Sequence, residues 1–101
     1  MAACKFSFTF GKDGDMIYLS HLDLVRLFGR AVRRAGLPVA LTQGFSPRPR
    51  IRFARALKLG VSSDREEGEI VMAEPLEAAE VRRRLQAQLP EGITVKDMWS
   101  A

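Results

Sequence analysis

Lys5-Phe6-Ser7-Phe8-Thr9-Phe10 alternates without a break, with three phenylalanines pointing one way and Lys5, Ser7 and Thr9 the other. A period of two marks a β-strand with one face buried. The residues that follow, Gly11-Lys12-Asp13-Gly14-Asp15, have the composition of a turn. The short apolar run Met16 to Leu19 then reads as an extension of the sheet into a small hairpin.

At Ser20 the period becomes helical. Ser20 is placed to cap, and Asp23 three residues on completes an S-x-x-D variant of the capping box. Leu24, Phe28, Ala31 and Ala35 recur at helical spacing, joined by Val25 and Val32 on the same broad side. Arg26, Arg30, Arg33 and Arg34 fall opposite, and those in the last turn complement the helix dipole. Gly36, with Pro38 beyond it, stops the helix.

Val39 to Thr42 reads as a strand and leads into the irregular segment Gln43-Gly44-Phe45-Ser46-Pro47-Arg48-Pro49-Arg50. Arg50 to Ala54 is another strand, with Ile51 and Phe53 inward and Arg50 and Arg52 outward. Arg55 would fall on the inward side, so the strand should end or bulge there. Val61 to Arg65 reads as a polar turn, and Glu69 to Ala73 as a strand with Ile70 and Met72 on one face. Glu77 to Leu89 is a second helix with Ala78, Val81 and Leu85 as its stripe and an i,i+4 pair between Glu80 and Arg84. Pro90-Glu91-Gly92 ends it, and Ile93 to Met98 is a last strand with Ile93 and Val95 inward.

The order β-α-β-β-α-β within one domain, residues 1–101, is that of the α+β ferredoxin-like sandwich. Its four-stranded antiparallel sheet carries both helices on one face, here the Phe6/Phe8/Phe10 side, and leaves the other open. A hydrophobic fraction of 47% with 28% charged residues suits a globular protein. The single cysteine, Cys4, excludes an internal disulfide and a set of cysteine ligands. With no membrane-length apolar run and no signal-like N-terminus, the expected location is cytoplasmic, away from membranes. No metal-ligand spacing, Walker loop or nucleophile elbow occurs, so neither a metal nor another cofactor is expected.

The net charge of +4 hides an asymmetry. Residues 1–60 hold 11 Lys/Arg against 3 Asp/Glu, and residues 61–101 hold 5 against 9. Opposite signs in the two halves suit binding to a polyanion, or attraction between the halves. Leu24 to Ser63 contains no acidic residue and nine cations, eight of them arginine, with Lys58 the ninth. Arginine grips phosphate bidentately and stacks on bases, so Arg26, Arg30, Arg33, Arg48, Arg50 and Arg52 are candidate RNA-phosphate contacts. Gly44 allows close backbone approach and Phe45 offers a stacking surface. A solvated helix face and a charge-guarded edge strand would give the same composition.

The first strand exposes Lys5, Ser7 and Thr9 on the open face, without the aromatics of an RNA-recognition motif. Ser20, His21 and Asp23 form a candidate anion site at the helix start. His21, the only histidine, is the one candidate for proton transfer, against the plainer role of capping or packing.

Three blocks carry a resemblance: Ser20-His21-Leu22-Asp23-Leu24-Val25-Arg26-Leu27-Phe28, Arg33-Arg34-Ala35-Gly36-Leu37-Pro38-Val39, and Gln43-Gly44-Phe45-Ser46-Pro47-Arg48-Pro49-Arg50-Ile51. They resemble the radical-SAM-associated domain of unknown function, over nearly the whole chain. That family occurs fused behind radical-SAM modules or as a short stand-alone protein, often encoded near ribonuclease E/G and ribosomal protein genes. The resemblance implies an accessory role in RNA or ribosome-related work, or a protein partner for a radical-SAM enzyme. The chain cannot be the radical enzyme itself, which needs three cluster cysteines. Its loop departs from a family pattern close to G-F-N-P-H-P: Ser46 and Arg48 stand at the Asn and His places, removing a second histidine and adding positive charge.

Three functions follow as expectations. They are a non-catalytic module for RNA phosphates, an adaptor for a radical-SAM enzyme or the ribosome, and an endoribonuclease-like enzyme using His21. The last draws on CRISPR RNA-processing nucleases, which use this fold with a histidine.

Overall fold

Phe6, Phe8 and Phe10 are buried together, and the rest of the fold closes over them. The computed structural model describes residues 4–55 and 59–101, in the order β1 (Cys4–Lys12), α1 (His21–Arg34), β2 (Ile51–Phe53), β3 (Ser63–Met72), α2 (Ala78–Gln86) and β4 (Ile93–Ser100). The strands form one antiparallel sheet in the order β2-β3-β1-β4. This is the expected α+β sandwich of ferredoxin-like order. Leu24, Phe28 and Val32 of α1 and Val81 and Leu85 of α2 share one core with the three β1 phenylalanines, so both helices cover the same face.

Phe8, Phe10, Phe28 and Phe53 make the centre of that core, with ring centroids 5.3–5.9 Å apart. Such tilted and offset pairs add to the burial of each ring. Gly68 lies opposite Phe8 in the ladder, and a Cβ there would stand 2.7 Å from Phe8 Cζ. The aromatic ring therefore occupies the space a side chain on β3 would need.

Several boundaries differ from the sequence reading, each for a physical reason. Met16 to Leu19 forms no hairpin strand; Gly14–Tyr18 is a 3-10 turn. β1 is already paired on both sides, by β3 and β4, so the sheet has no edge there to extend. Val39 to Thr42 is not a continuous strand but meets its neighbours at isolated bridges, Val39 to Met72 and Leu41 to Pro49. The backbone donors here are shared out rather than laddered: the Ala40 N–H goes to the Val71 carbonyl, and the Arg48 N–H to Thr42 Oγ1.

The segment expected as a polar turn contributes Ser63, Asp64 and Arg65 to β3: Ser63 pairs with Lys12 of β1, and Asp64 and Arg65 fall in the register shift before Glu66 pairs with Phe10. β4 runs past Met98 to Ser100, and α2 is shorter than expected, Ala78–Gln86. Thr9, expected exposed, is buried between its neighbours Glu67 and Asp97 on the central strand. Among the described residues, no helix is long and apolar enough to cross a membrane.

Candidate functional site

The capping box at the start of α1 is complete. Ser20 Oγ accepts from the Asp23 backbone N–H at 3.1 Å, and the Asp23 carboxylate accepts from the Ser20 N–H at 3.2 Å. The bond from the Ser20 backbone, then that involving its side chain, and more weakly Arg26 and Arg30, hold Asp23 below the usual carboxylate range. Ser20 and Asp23 thus turn their polar groups on each other. His21 lies edge-on to Phe53, centroids 5.7 Å apart, and its buried Nδ1 has no hydrogen-bond partner among the described residues. That is the geometry of a packing residue.

The arginines of α1 come next. Arg26, Arg30 and Arg33 stand at i, i+4 and i+7, so they form one ridge about 10 Å long. The chain entering β2 runs alongside, and between the two lies a groove of about 520 Å³. Arg48 faces the α1 ridge from the opposite wall, so four guanidinium side chains and no carboxylate line the space. Its remaining walls are largely apolar: Leu22, Val25 and Gly29 of α1, with Pro49 and Ile51 opposite. Thr42 helps to hold the loop wall, its Oγ1 accepting from the Arg48 N–H at 3.1 Å while its own N–H reaches the Arg48 carbonyl at 2.8 Å. None of the four arginines has a carboxylate within salt-bridge distance among the described residues.

The remaining cations of the basic stretch divide away from this groove. Arg50 and Arg52 line an adjoining hollow of about 260 Å³, which shares Thr42, Pro49 and Ile51 with the groove but adds Lys5, Glu69 and Val71, and Arg52 approaches Glu69 at 3.8 Å. Arg55 pairs with Glu66 at 3.2 Å, and Lys58 lies outside the described residues. Phe45 is fully exposed at the loop tip beside Gly44, whose φ of +125° suits glycine. Neither residue lines the groove.

The open sheet face has a different character. A row across it runs Arg52, Glu69, Ser7, Trp99, with Glu67, Thr9 and Asp97 in the next row. A hollow of about 310 Å³ there is lined by Glu67, Glu69 and Trp99 with Arg52, whose charge is met by Glu69 at 3.8 Å, so unlike the groove it carries carboxylates beside its cation. Trp99 was not legible as an open-face residue, because simple alternation from Ile93 and Val95 would turn it inward. A bulge at Lys96 reverses the faces: Phe10 pairs with Val95, but Phe8 pairs with Met98.

Among the described residues, no group of three His, Cys, Asp or Glu side chains is gathered to hold a metal ion. No curated protein matches the chain. A family model matches residues 5–101, and the chain therefore belongs to the family described as "Uncharacterized protein conserved in bacteria (DUF2344)".

Proposed function

We propose that this domain is a non-catalytic binding module that holds RNA by its phosphates in the groove between α1 and the chain entering β2. The observation that carries this reading is that Arg26, Arg30, Arg33 and Arg48 line one groove without a carboxylate among its lining residues. Guanidinium groups without an ion pair among the described residues are available to an anion, and their planar fork suits phosphate oxygens. An i,i+4 step along the helix is about 6 Å, comparable to the distance between successive phosphates of a strand.

Four phosphate contacts on a single strand predict a roughly fiftyfold loss of affinity between 50 and 200 mM salt. The measurement is fluorescence anisotropy of a labelled single-stranded RNA against salt. Replacing Arg26, Arg30 and Arg33 together by glutamine should remove most of the binding and flatten the salt dependence, with the melting temperature unchanged. Replacing Arg50 and Arg52 should do far less. Salt-independent affinity, or no RNA retained at low salt, would end the proposal.

A second reading, an adaptor docking on a radical-SAM enzyme or the ribosome, is supported by exposed apolar side chains beside the groove. Leu22, Leu41 and Phe45 all face solvent. It predicts co-purification with a protein that survives nuclease treatment. An endoribonuclease role for His21 draws little support from a ring packed on Phe53.

A further inference from the structure

We infer that Gly29 keeps the groove open for an unstacked nucleobase, so that the ligand class is single-stranded RNA rather than duplex; this rests on the RNA-phosphate reading above. Gly29 lies in the interior of α1, where glycine is the least favourable residue after proline. Two ordinary reasons for a helical glycine are absent. Its φ is not in the left-handed region, where the positive-φ glycines are Gly14, Gly36, Gly44, Gly60 and Gly92. Nor is it demanded by close packing: a Cβ would meet only Pro49 Cγ, at 3.9 Å, an ordinary contact. Gly68 on β3 is the counterexample, where a Cβ would stand 2.7 Å from Phe8 Cζ.

What a side chain at position 29 would enter is the groove itself. Gly29 is one turn from Val25, Arg26 and Arg33 on α1 and lies close to Pro49, where the two sides of the groove meet. Its bareness joins the apolar surfaces of Val25, Pro49 and Ile51 into one floor, with the arginines at the rim. Phosphate alone has no use for an apolar floor. A ligand with a flat, weakly hydrated body and anionic groups beside it fits both parts, and a nucleotide of a single strand is such a ligand. In a duplex the base is stacked and paired inside the helix, and only the backbone could reach the rim. The volume, about 520 Å³, lies within the range of sites that enclose small molecules.

The test compares a short oligouridylate with a blunt RNA duplex of the same length, on wild type, Gly29→Ala and Gly29→Leu, in low salt. The wild type should prefer the single strand by tenfold or more. Gly29→Leu, which fills the floor, should lose tenfold or more of the single-strand affinity while leaving weak duplex binding unchanged. Gly29→Ala should raise the melting temperature by about 4–8 °C, as removal of a helical glycine does in a domain of this size. If Gly29→Leu fails to fold, the single-strand preference of wild type still decides. Equal binding of both RNAs, or undiminished binding by a folded Gly29→Leu, would overturn the inference and leave the phosphate reading intact. No binding of either RNA to wild type would overturn both.

Discussion

The arginines of α1 and α2 look alike in sequence and differ in what surrounds them. Each helix carries basic residues in its last turn, Arg33 and Arg34 in one, Arg83 and Arg84 in the other. In α2 all three arginines are engaged. Arg82 donates to the Val95 carbonyl at 3.4 Å, Arg83 approaches Glu80 at 3.6 Å, and Arg84 approaches Glu80 at 3.7 Å. Arg84 also donates through Nη2 to the carbonyls of Ala35 and Gly36, at 2.8 and 2.9 Å, and so closes the C-terminal end of α1. The α1 arginines have no ion pair among the described residues. Arginine content therefore does not separate the two helices; what separates them is whether an ion-pair partner is present among the described residues.

Arg55 belongs to the basic stretch yet behaves like the arginines of α2, and it gives the largest stability effect. Its Nε and Nη2 donate to the two carboxylate oxygens of buried Glu66 at 3.2 and 3.3 Å, and Ser63 Oγ donates to Oε2 at 2.6 Å. Burial pushes the Glu66 carboxyl up, but the bonds from Arg55 and Ser63, with the charges of Arg55 and buried Lys12, outweigh it and hold the group below its ordinary range. A depressed folded value means the stabilisation is present above the unfolded pKa and disappears as pH falls through the folded one. Glu66→Gln should therefore cost about 2–3 kcal/mol at neutral pH. Urea titrations should show the gap to wild type closing in acid, with RNA affinity unchanged in folded protein. A gap independent of pH would mean that shape, not charge, is what Glu66 supplies.

How far the sequence carried depended on how local each signal was. Strict alternation over Lys5 to Phe10 and the Ser20–Asp23 box are short-range patterns, and the backbone follows both. β3 begins earlier than composition suggests because Ser63 pairs with Lys12 of β1, a long-range cause that carries Asp64 and Arg65 into the strand across a bulge. The face of Trp99 depended on one bulge at Lys96. The acid-free stretch takes in both α1 and the 42–52 segment, but composition cannot divide its arginines between the groove and the hollow next to it. Arg48 joins α1 because the 42–50 ribbon folds back through Thr42 and Ala40, whereas Arg50 and Arg52 turn to the other side of the edge strand. Gly29 carried no signal at all until its surroundings were known.

Arg84 tests the engaged half of the comparison. Its side chain is only partly exposed, and it satisfies two carbonyls that the end of α1 leaves open. Arg84→Met keeps most of the apolar stem and removes those bonds, so the expected loss is on the order of 1.5 kcal/mol. Thermal denaturation measures it, and RNA affinity at temperatures where the variant is folded should equal that of wild type. A variant of unchanged stability that bound RNA more weakly would erase the distinction between the two helices.

The smallest expected effect sharpens the comparison most. Glu80 forms ion pairs with Arg83 and Arg84 at 3.6 and 3.7 Å, and exposed pairs of this kind contribute about 0.5 kcal/mol or less. Glu80→Gln should leave the melting temperature nearly unchanged while freeing Arg83 from its only carboxylate among the described residues. The variant then carries an arginine without a carboxylate partner among the described residues, on a different helix from the groove that Arg26, Arg30, Arg33 and Arg48 line. If RNA affinity and its salt slope stay at wild-type values, a bare guanidinium is insufficient and the walls around Arg26, Arg30, Arg33 and Arg48 are required. If the slope steepens by about 0.7, one further phosphate has been engaged, and the groove confers no privilege beyond lack of a partner.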